Sequence, residues 1–204
     1  MIEHMGITEV LGLAASVSLL SGWRIYLSVL ATGLAMRYHI VPLPSHVPSL
    51  AVLANGWVLG AAGFAATCEF FADKVPWLDS IWDLVHTLIR PLGGAMLALA
   101  LVNPGNPTMQ AVAFILGGGG ALLAHGAKAG SRAVINASPE PFSNILVSTA
   151  EDAATSGMLY TVFHHPYAAS GIAAVVFVGV VLLLMQAKRI FGQVFGKRSP
   201  SNLS

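Results

Sequence analysis

The stretch from residue 69 to residue 94, EFFADKVPWLDSIWDLVHTLIRPLGG, decides the fold because it concentrates charge in a chain that has little of it. Only 9% of all residues are charged. This stretch nevertheless carries a series of ionisable side chains between two apolar runs: Glu69, Asp73, Lys74, Asp79, Asp83, His86 and Arg90. Since a charge in apolar surroundings is costly, the sequence predicts that these side chains have a role.

Four of these residues follow a helical repeat. Asp79, Asp83, His86 and Arg90 stand at offsets of 0, 4, 7 and 11, which places them on one face of a helix. The opposite face is apolar and carries Trp77, Leu78, Ile81, Leu84, Val85, Leu88 and Ile89. Such a helix either lies in a membrane interface or crosses the membrane with its polar stripe turned inward. Simple contacts along the helix are the alternative to a functional stripe.

The composition indicates an all-α integral membrane protein. The chain has 204 residues, of which 55% are hydrophobic, and a mean hydropathy of +0.73. A soluble domain carries about 25% charged residues. The net charge of +1 gives no support for nucleic-acid binding. The single cysteine, Cys68, excludes an intramolecular disulfide framework and a zinc cluster of cysteines. No pattern calls for a cofactor or a metal. The N-terminus lacks the basic region of a secretory signal, so we expect the first apolar segment to be retained.

Hydropathy predicts one polytopic domain with about six spans. They are residues 8–36, 50–72, 77–102, 108–137, 142–163 and 167–187, followed by a basic tail over 188–204. The first span is longer than a bilayer needs, so we expect a break at Ser21-Gly22, and the third is expected to kink near Pro91. A proline-rich connection over 38–49 and the turn Asn103-Pro104-Gly105-Asn106-Pro107 separate spans.

The turn at 103–107 divides the chain into two halves, about 8–102 and 108–187, of three spans each. A shift of 104 positions lays Ser21, Arg24, Ser28 and Thr32 on His125, Lys128, Arg132 and Asn136. Three spans per half force opposite orientations, so the sequence predicts two inverted repeats with broken or kinked first helices. Basic residues collect on the side of both termini, which predicts cytoplasmic termini in the inner membrane.

Polar residues from both halves form the predicted solute or ion site. The fifth span has its own stripe of Asn144, Ser148, Glu151 and Thr155. The predicted site residues are Glu69, Asp73, Glu151, Asp152, Arg24, Lys128, Arg132 and Ser148, with Asp79, Asp83, His86 and Arg90 as a secondary polar stripe. Intramembrane acids often mark ion or proton pathways, and the basic residues would suit an anionic solute.

Each of these readings has a structural alternative. The acids and bases could pair with one another and lock the bundle. His125 could carry a proton, bind a metal or simply pack with a hydrogen bond. The run Gly117 to Gly120 is more typical of a helix-packing face than of a phosphate loop. His164-His165 lies at a turn, where solvation explains it as well as a metal would.

Several spaced motifs resemble a known family. They are E-x-x-x-D-K-x-P-x-x-D-x-x-x-D with R-P-x-x-G from Glu69 to Gly94, K-x-x-x-R from Lys128, S-x-x-E-D from Ser148 and S-G-x-R from Ser21. From about Leu11 to Ile190 the chain resembles an uncharacterised bacterial integral-membrane family, the domain of unknown function numbered four thousand one hundred and twenty-six. The resemblance implies a small polytopic helical membrane protein and no particular substrate.

We therefore expect a secondary transporter or an ion- or proton-coupled carrier of a small, anionic solute, rather than an enzyme. Glu151 and Glu69 would exchange protons or bind a cation, helped by Asp152 and Asp73. The alternative is a structural or assembly protein whose buried charges pair with each other. A membrane enzyme ranks below both, because no HExxH or GxSxG motif is present. The expected partners are the lipid bilayer and a small solute or ion, and the sequence leaves a homo-oligomer open.

Overall fold

The computed structural model describes residues 7–40, 52–102, 105–136 and 142–195, and its regular elements there are helices. In chain order they are α1 (Ile7–Trp23), α2 (Ile25–Arg37), α3 (Gly56–Ala72), α4 (Pro76–Leu101), α5 (Pro107–Asn136), α6 (Phe142–His164) and α7 (Pro166–Phe195). The all-α prediction is confirmed for this part of the chain.

The predicted break in the first span is present but lies elsewhere. Helices α1 and α2 meet at Arg24, whose backbone leaves the helical region with φ −140° and ψ 81°. The predicted position, Ser21-Gly22, is helical. Gly22 serves close packing instead, since a Cβ there would lie 2.3 Å from the carbonyl oxygen of Ala121 in α5.

Other boundaries also differ from the prediction. Helix α3 begins at Gly56 rather than at residue 50, because the Asn55 side chain caps it by accepting a 2.8 Å hydrogen bond from the Trp57 amide. Helix α5 is continuous over 30 residues, so of the break or kink expected in the first helix of the second half, the break was wrong. Helix α7 continues to Phe195, so residues 188–195 are helical rather than tail.

Two predicted connections lie partly outside the described residues. Of the proline-rich segment 38–49, the structure describes the end of α2, where His39 has a φ of 57° and the Ile40 amide donates to the Ala35 carbonyl at 2.8 Å. This is a left-handed helix C-cap. Asn103 and Pro104 of the central turn also fall outside the described ranges. The Asn106 side chain caps α5, because its Oδ1 accepts a 3.0 Å hydrogen bond from the Met109 amide.

Helices α1, α4 and α5 form the tightly packed centre. The α4–α5 pair is antiparallel, because Asp79 lies beside Asn136 at one end and Gly94 lies beside Gly117 further along. A Cβ at Gly117 would lie 2.8 Å from the Gly94 carbonyl oxygen. Small residues allow this approach, so the interpretation of Gly117 as a packing residue is confirmed.

The interior has an apolar end and a charged end. Buried apolar side chains of α1, α4, α6 and α7 fill the first, among them Leu13, Val17, Leu20, Leu97, Leu101, Val162, Val176 and Val180. The charged end lies where α1 meets α2, α3 turns into α4, and α5 approaches α6. This end holds the predicted site residues.

The outward-facing surface of the helices is apolar, as α4 illustrates. On α4, Leu84 and Leu88 are 75% and 76% exposed, whereas Asp79 and Arg90 on the opposite face are 0% exposed. This is the reverse of a soluble helix, which turns its apolar stripe inward. Within the described residues two helices, α4 and α5, are long and apolar enough to cross a membrane.

Candidate functional site

Ten charged side chains form a connected set of ion pairs, which we call the charged network. Its members are Arg24, Lys74, Arg90, Lys128 and Arg132 with Glu69, Asp73, Asp83, Glu151 and Asp152. They come from both halves of the chain. The structure thus brings together the eight predicted site residues, since Ser148 also contacts Arg24. It joins to them Asp83 and Arg90 of the secondary stripe and adds Lys74.

Asp73 is the centre of the network. It follows the last residue of α3, and its Oδ2 accepts hydrogen bonds from Arg24 and, at 2.6 Å, from the Lys128 ammonium. The Arg132 guanidinium lies 3.9 Å from the same oxygen. Burial by itself raises the pKa of Asp73, but the charges of Lys128 and Arg24 outweigh burial and hold that pKa below its usual value.

Arg24 reaches this centre because the helix is interrupted at its own position. Its amide still donates to the Leu20 carbonyl at 2.9 Å, so the chain direction is kept while the side chain turns into the bundle. The guanidinium is buried and also bonds the Asp152 carboxylate at 2.9 Å and the Ser148 carbonyl at 3.1 Å. The break therefore connects α1 and α2 to α6.

Helix α6 supplies the part of the network nearest the surface. Glu151 accepts from Arg132 at 2.9 Å, and Asp152 pairs with Lys74 at 3.0 Å. The side chains of Lys74, Glu151 and Asp152 are 18%, 18% and 20% exposed, whereas the other network side chains are exposed by 7% or less. The predicted α6 stripe is confirmed as an inward face, with Asn144, Ser148 and Thr155 buried.

Arg90 organises the deeper part of the network. Its guanidinium donates to Glu69 at 2.9 Å and to Asp83, one carboxylate on each side, also at 2.9 Å. Lys128 lies 3.8 Å from Asp83 and so joins this part to Asp73. Asp83 and Arg90 are seven residues apart on α4, so their ion pair spans two turns of the helix.

His125 is a hydrogen-bonded member of the buried polar cluster. Arg90 donates to its Nδ1 at 2.6 Å, so that nitrogen is the acceptor, and Nε2–H faces the Thr87 hydroxyl at 3.1 Å. The Thr87 hydroxyl donates in turn to the Asp83 carbonyl at 2.9 Å. In the described ranges, no group of three or more His, Cys, Asp or Glu residues could hold a metal ion.

His86 belongs to a small aromatic group at the edge of the cluster. Its Nδ1 lies 2.7 Å from the Trp82 carbonyl, which can only accept, so Nδ1 carries hydrogen. The Tyr26 hydroxyl meets Nε2 at 2.9 Å, and the ring stacks on Trp82 at 4.6 Å between centroids. Sequence reasoning missed Tyr26, because it stands two residues after Arg24 and therefore off the polar stripe. Lys74 was not among the predicted site residues, although the adjacent Asp73 was.

The predicted basic residues are all paired. Arg24 and Lys128 bind Asp73, and Arg132 binds Glu151, which is the pairing that the sequence offered as the alternative to an anion site. An anionic solute would therefore have to compete with these carboxylates for the cations.

Asp79 lies on the same buried face but outside the network. Its Oδ2 accepts a 2.8 Å hydrogen bond from the Asn136 amide, and among the described residues no lysine, arginine or histidine nitrogen comes within 4.0 Å of it. The secondary stripe is thus confirmed as a buried face of α4. Its members differ in their contacts: Asp83 and Arg90 form an ion pair, His86 contacts Tyr26, and Asp79 contacts Asn136.

Comparison with known proteins bears on the motifs that build this site. The sequence model of one protein family, described as a domain of unknown function, matches residues 11–186. That range contains the whole charged network and confirms the resemblance seen in the spaced motifs. None of the curated proteins and none of the solved structures matches the chain. With the match covering most of its length, the chain belongs to the family described as Domain of unknown function (DUF4126).

Proposed function

We propose that this chain is a multi-pass membrane protein that carries a small anionic solute, with the charged network as its binding site. The observation behind the proposal is the inverted distribution of polarity. Side chains such as Leu84 and Leu88 point outward, while seven of the ten charged network side chains are buried and the other three are at most 20% exposed. Charges inside a bilayer are costly and commonly mark ion or substrate pathways.

The exposure of the network favours an entrance at α6. Lys74, Glu151 and Asp152 form its partly exposed rim, and Arg24 and Asp73 lie behind them. An anionic group that enters there meets two guanidinium groups, those of Arg132 and Arg24. It can bind them by taking the place of the Glu151 carboxylate, which lies 2.9 Å from Arg132 and 3.7 Å from Arg24. Bidentate guanidinium contacts suit carboxylate and phosphate groups.

Exchange of this kind links solute binding to proton binding. While Glu151 is ionised, it occupies Arg132 and excludes the solute. When Glu151 takes a proton, its hold on the guanidinium weakens and the solute anion can replace it. The loaded and empty states then carry similar charge and can favour different openings of the bundle.

The proposal includes six spans in two inverted halves, with both termini in the cytoplasm. In support, Arg24 and Lys128, which are 104 positions apart, bind the same Asp73 oxygen. A site at the interface of two repeats is typical of such carriers. In the first half, α1 and α2 together make the first span, since the 13 residues of α2 are too few to cross about 30 Å of hydrocarbon alone.

The test is charge movement in proteoliposomes on a solid-supported membrane, screened with small carboxylates, phosphate, inorganic anions and pH jumps. We expect a transient that saturates with one solute and is lost in Glu151→Gln. Thr149→Val, an outward-facing change on the same helix, is the matched control and should keep the signal. Tracer uptake covers electroneutral exchange. A folded protein that is silent in both assays would overturn the carrier function.

A second candidate is a structural role, in which the network only locks the bundle. The observation in its favour is the complete pairing of five cations with five carboxylates. Glu151→Arg combined with Arg132→Glu exchanges a pair directly. Restored thermal stability in the double variant, with no solute-dependent signal in the parent protein, would favour this role.

A further inference from the structure

Asp79 is a buried acid that, among the described residues, lies outside the charged network. The ion pairs described above use five cations and five carboxylates. Asp79 is a sixth carboxyl group on the same buried face, and its exposed fraction is 0%. Residues 137–141, which follow Asn136 in the sequence, contain no lysine or arginine. The local sequence thus offers Asp79 no cation of its own.

The hydrogen bonding around Asp79 lacks a donor. The Asn136 side-chain amide donates to Oδ2 at 2.8 Å and shares its hydrogens with the Pro76 carbonyl at 3.2 Å. Asp79 Oδ1 and Asn136 Oδ1 are both buried without a hydrogen-bond partner in the described structure. Both atoms are acceptors. A proton on the carboxyl group adds the donor that this pair lacks.

The charged groups around Asp79 come from three elements. Arg132 faces it from α5, one turn before Asn136, but the Arg132 guanidinium is already held by Glu151 of α6 at 2.9 Å and by Asn144. Asp73, in the turn before α4, and Asp83, one turn further along α4, present like charge. An ionised Asp79 would therefore be a buried anion with two anionic neighbours and a cation that is already engaged, which is unfavourable.

We propose that Asp79 is a proton-binding site, protonated in the folded protein at neutral pH, and that its proton is a second coupling ion of the carrier, beside the one that Glu151 binds. The second part rests on the proposed function. The chemical step is a simple transfer: Asp79–COOH gives Asp79–COO⁻ and a proton, which leaves to water on one side of the membrane.

Arg132 connects the proton to the solute. While Asp79 is neutral, Arg132 is available to Glu151 or to a solute anion that replaces it. Once Asp79 loses its proton, its carboxylate competes for the same guanidinium and the solute is released. Proton and anion should therefore move together, in the same direction.

Infrared difference spectroscopy tests the protonated state without any transport assay. The spectrum of the wild-type protein minus that of Asp79→Asn should show the carbonyl stretch of a protonated carboxyl group, shifted in heavy water. Asp83→Asn is the matched control, because Asp83 is paired with Arg90 at 2.9 Å and should contribute no such band. In the wild-type protein alone, the band should disappear at alkaline pH, so the test survives if a variant fails to fold. Absence of the band at neutral pH would overturn the proposal.

Proteoliposome flux tests the coupling. In Asp79→Asn we expect solute uptake to respond less steeply to a pH gradient than in the wild-type protein, because Glu151 alone then binds a coupling proton, while solute exchange at equal pH persists. If the infrared band is present but Asp79→Asn keeps the full wild-type response to the gradient, the coupling role is wrong. If the band is present and the wild-type protein moves no solute, the carrier function fails while the protonated site stands.

Discussion

Asp73 and Asp79 are six positions apart, are both fully buried, and have opposite surroundings. Asp73 has three cationic groups within 4.0 Å of one oxygen, those of Arg24, Lys128 and Arg132. Asp79 has one amide donor. The difference teaches that burial alone does not set the charge of an acid in this bundle. The supply of cations decides it.

The number of cations near each acid follows from the position of that acid in the fold. Asp73 lies in the α3–α4 turn, where the α1–α2 interruption and the basic stripe of α5 meet. Asp79 is further along α4 and faces the last turn of α5, where the stripe ends in Asn136 instead of a basic residue. Six positions along the chain thus separate a site for a permanent charge from the proposed proton site.

The largest effect is expected for Asp73→Asn, which keeps the shape of the side chain and removes its charge. Two cations, Arg24 and Lys128, would lose their shared partner in the interior. Breaking a buried ion pair costs about 3 to 5 kcal/mol, so we expect a clear loss of thermal stability in detergent. Adding Lys128→Met should restore part of it. A loss no greater than that of Asp79→Asn would contradict the comparison.

The same variant gives a pH test. Because the pKa of Asp73 is held below its unfolded value, the stabilisation is complete above the unfolded pKa, about 3.9, and is lost as pH falls through the folded pKa. The difference in stability between wild type and Asp73→Asn should therefore be constant from about pH 5 to 8. Unfolding measured across pH checks this, and a difference that changes within that range would argue against an ionised Asp73.

An intermediate effect is expected at the α4–α5 contact that holds Asp79 against Asn136. In Gly117→Ala, the new methyl group would lie 2.5 Å from the Ala98 Cβ, and overpacking of this kind costs about 1 to 3 kcal/mol. Gly119→Ala is the control, since nothing lies within 4 Å there and alanine favours the helix. Thermal unfolding of the pair separates packing from helix propensity. If the two variants unfold at the same temperature, the close approach of α4 and α5 at Gly117 does not contribute to stability.

Glu151→Gln should be milder than Asp73→Asn. The Glu151 side chain is 18% exposed, and Arg132 keeps its 3.2 Å hydrogen bond to the Asn144 carbonyl when the carboxylate is gone. We expect a loss of about 1 to 2 kcal/mol, between an exposed and a fully buried pair. The same thermal assay applies. A cost as large as that of Asp73→Asn would mean that the rim of the network is as rigid as its centre.

The smallest effect is expected for Asp79→Asn. Asparagine replaces a neutral carboxyl group with a neutral amide of the same shape, so stability should change by less than about 0.5 kcal/mol at neutral pH, as for a substitution that removes no special interaction. Asp83→Asn, one turn away, leaves Arg90 with a single carboxylate and should cost clearly more. If the two variants lose the same stability, Asp79 is not distinct from the paired acids.

Helix faces could be read from the sequence with good success. The offsets of Asp79, Asp83, His86 and Arg90 predicted one inward face, and all four are buried. Most helix boundaries lie within a few residues of the predicted spans, and the motifs identified the family. The position of the break and the start of α3 were predicted wrongly, because the packing of Gly22 on α5 and the side chain of Asn55 determine them.

By itself, therefore, the sequence determined the helices, their polar faces and the set of acids and bases that must be buried, since each depends on local periodicity and composition. The tertiary structure alone decided which acid meets which base. Arg24 meets Ser148 across 124 positions and Lys128 meets Asp73 across 55, distances over which no helical repeat gives information. The same packing left Asp79 facing an amide, because the pairing of side chains depends on how whole helices cross rather than on the order of residues along them.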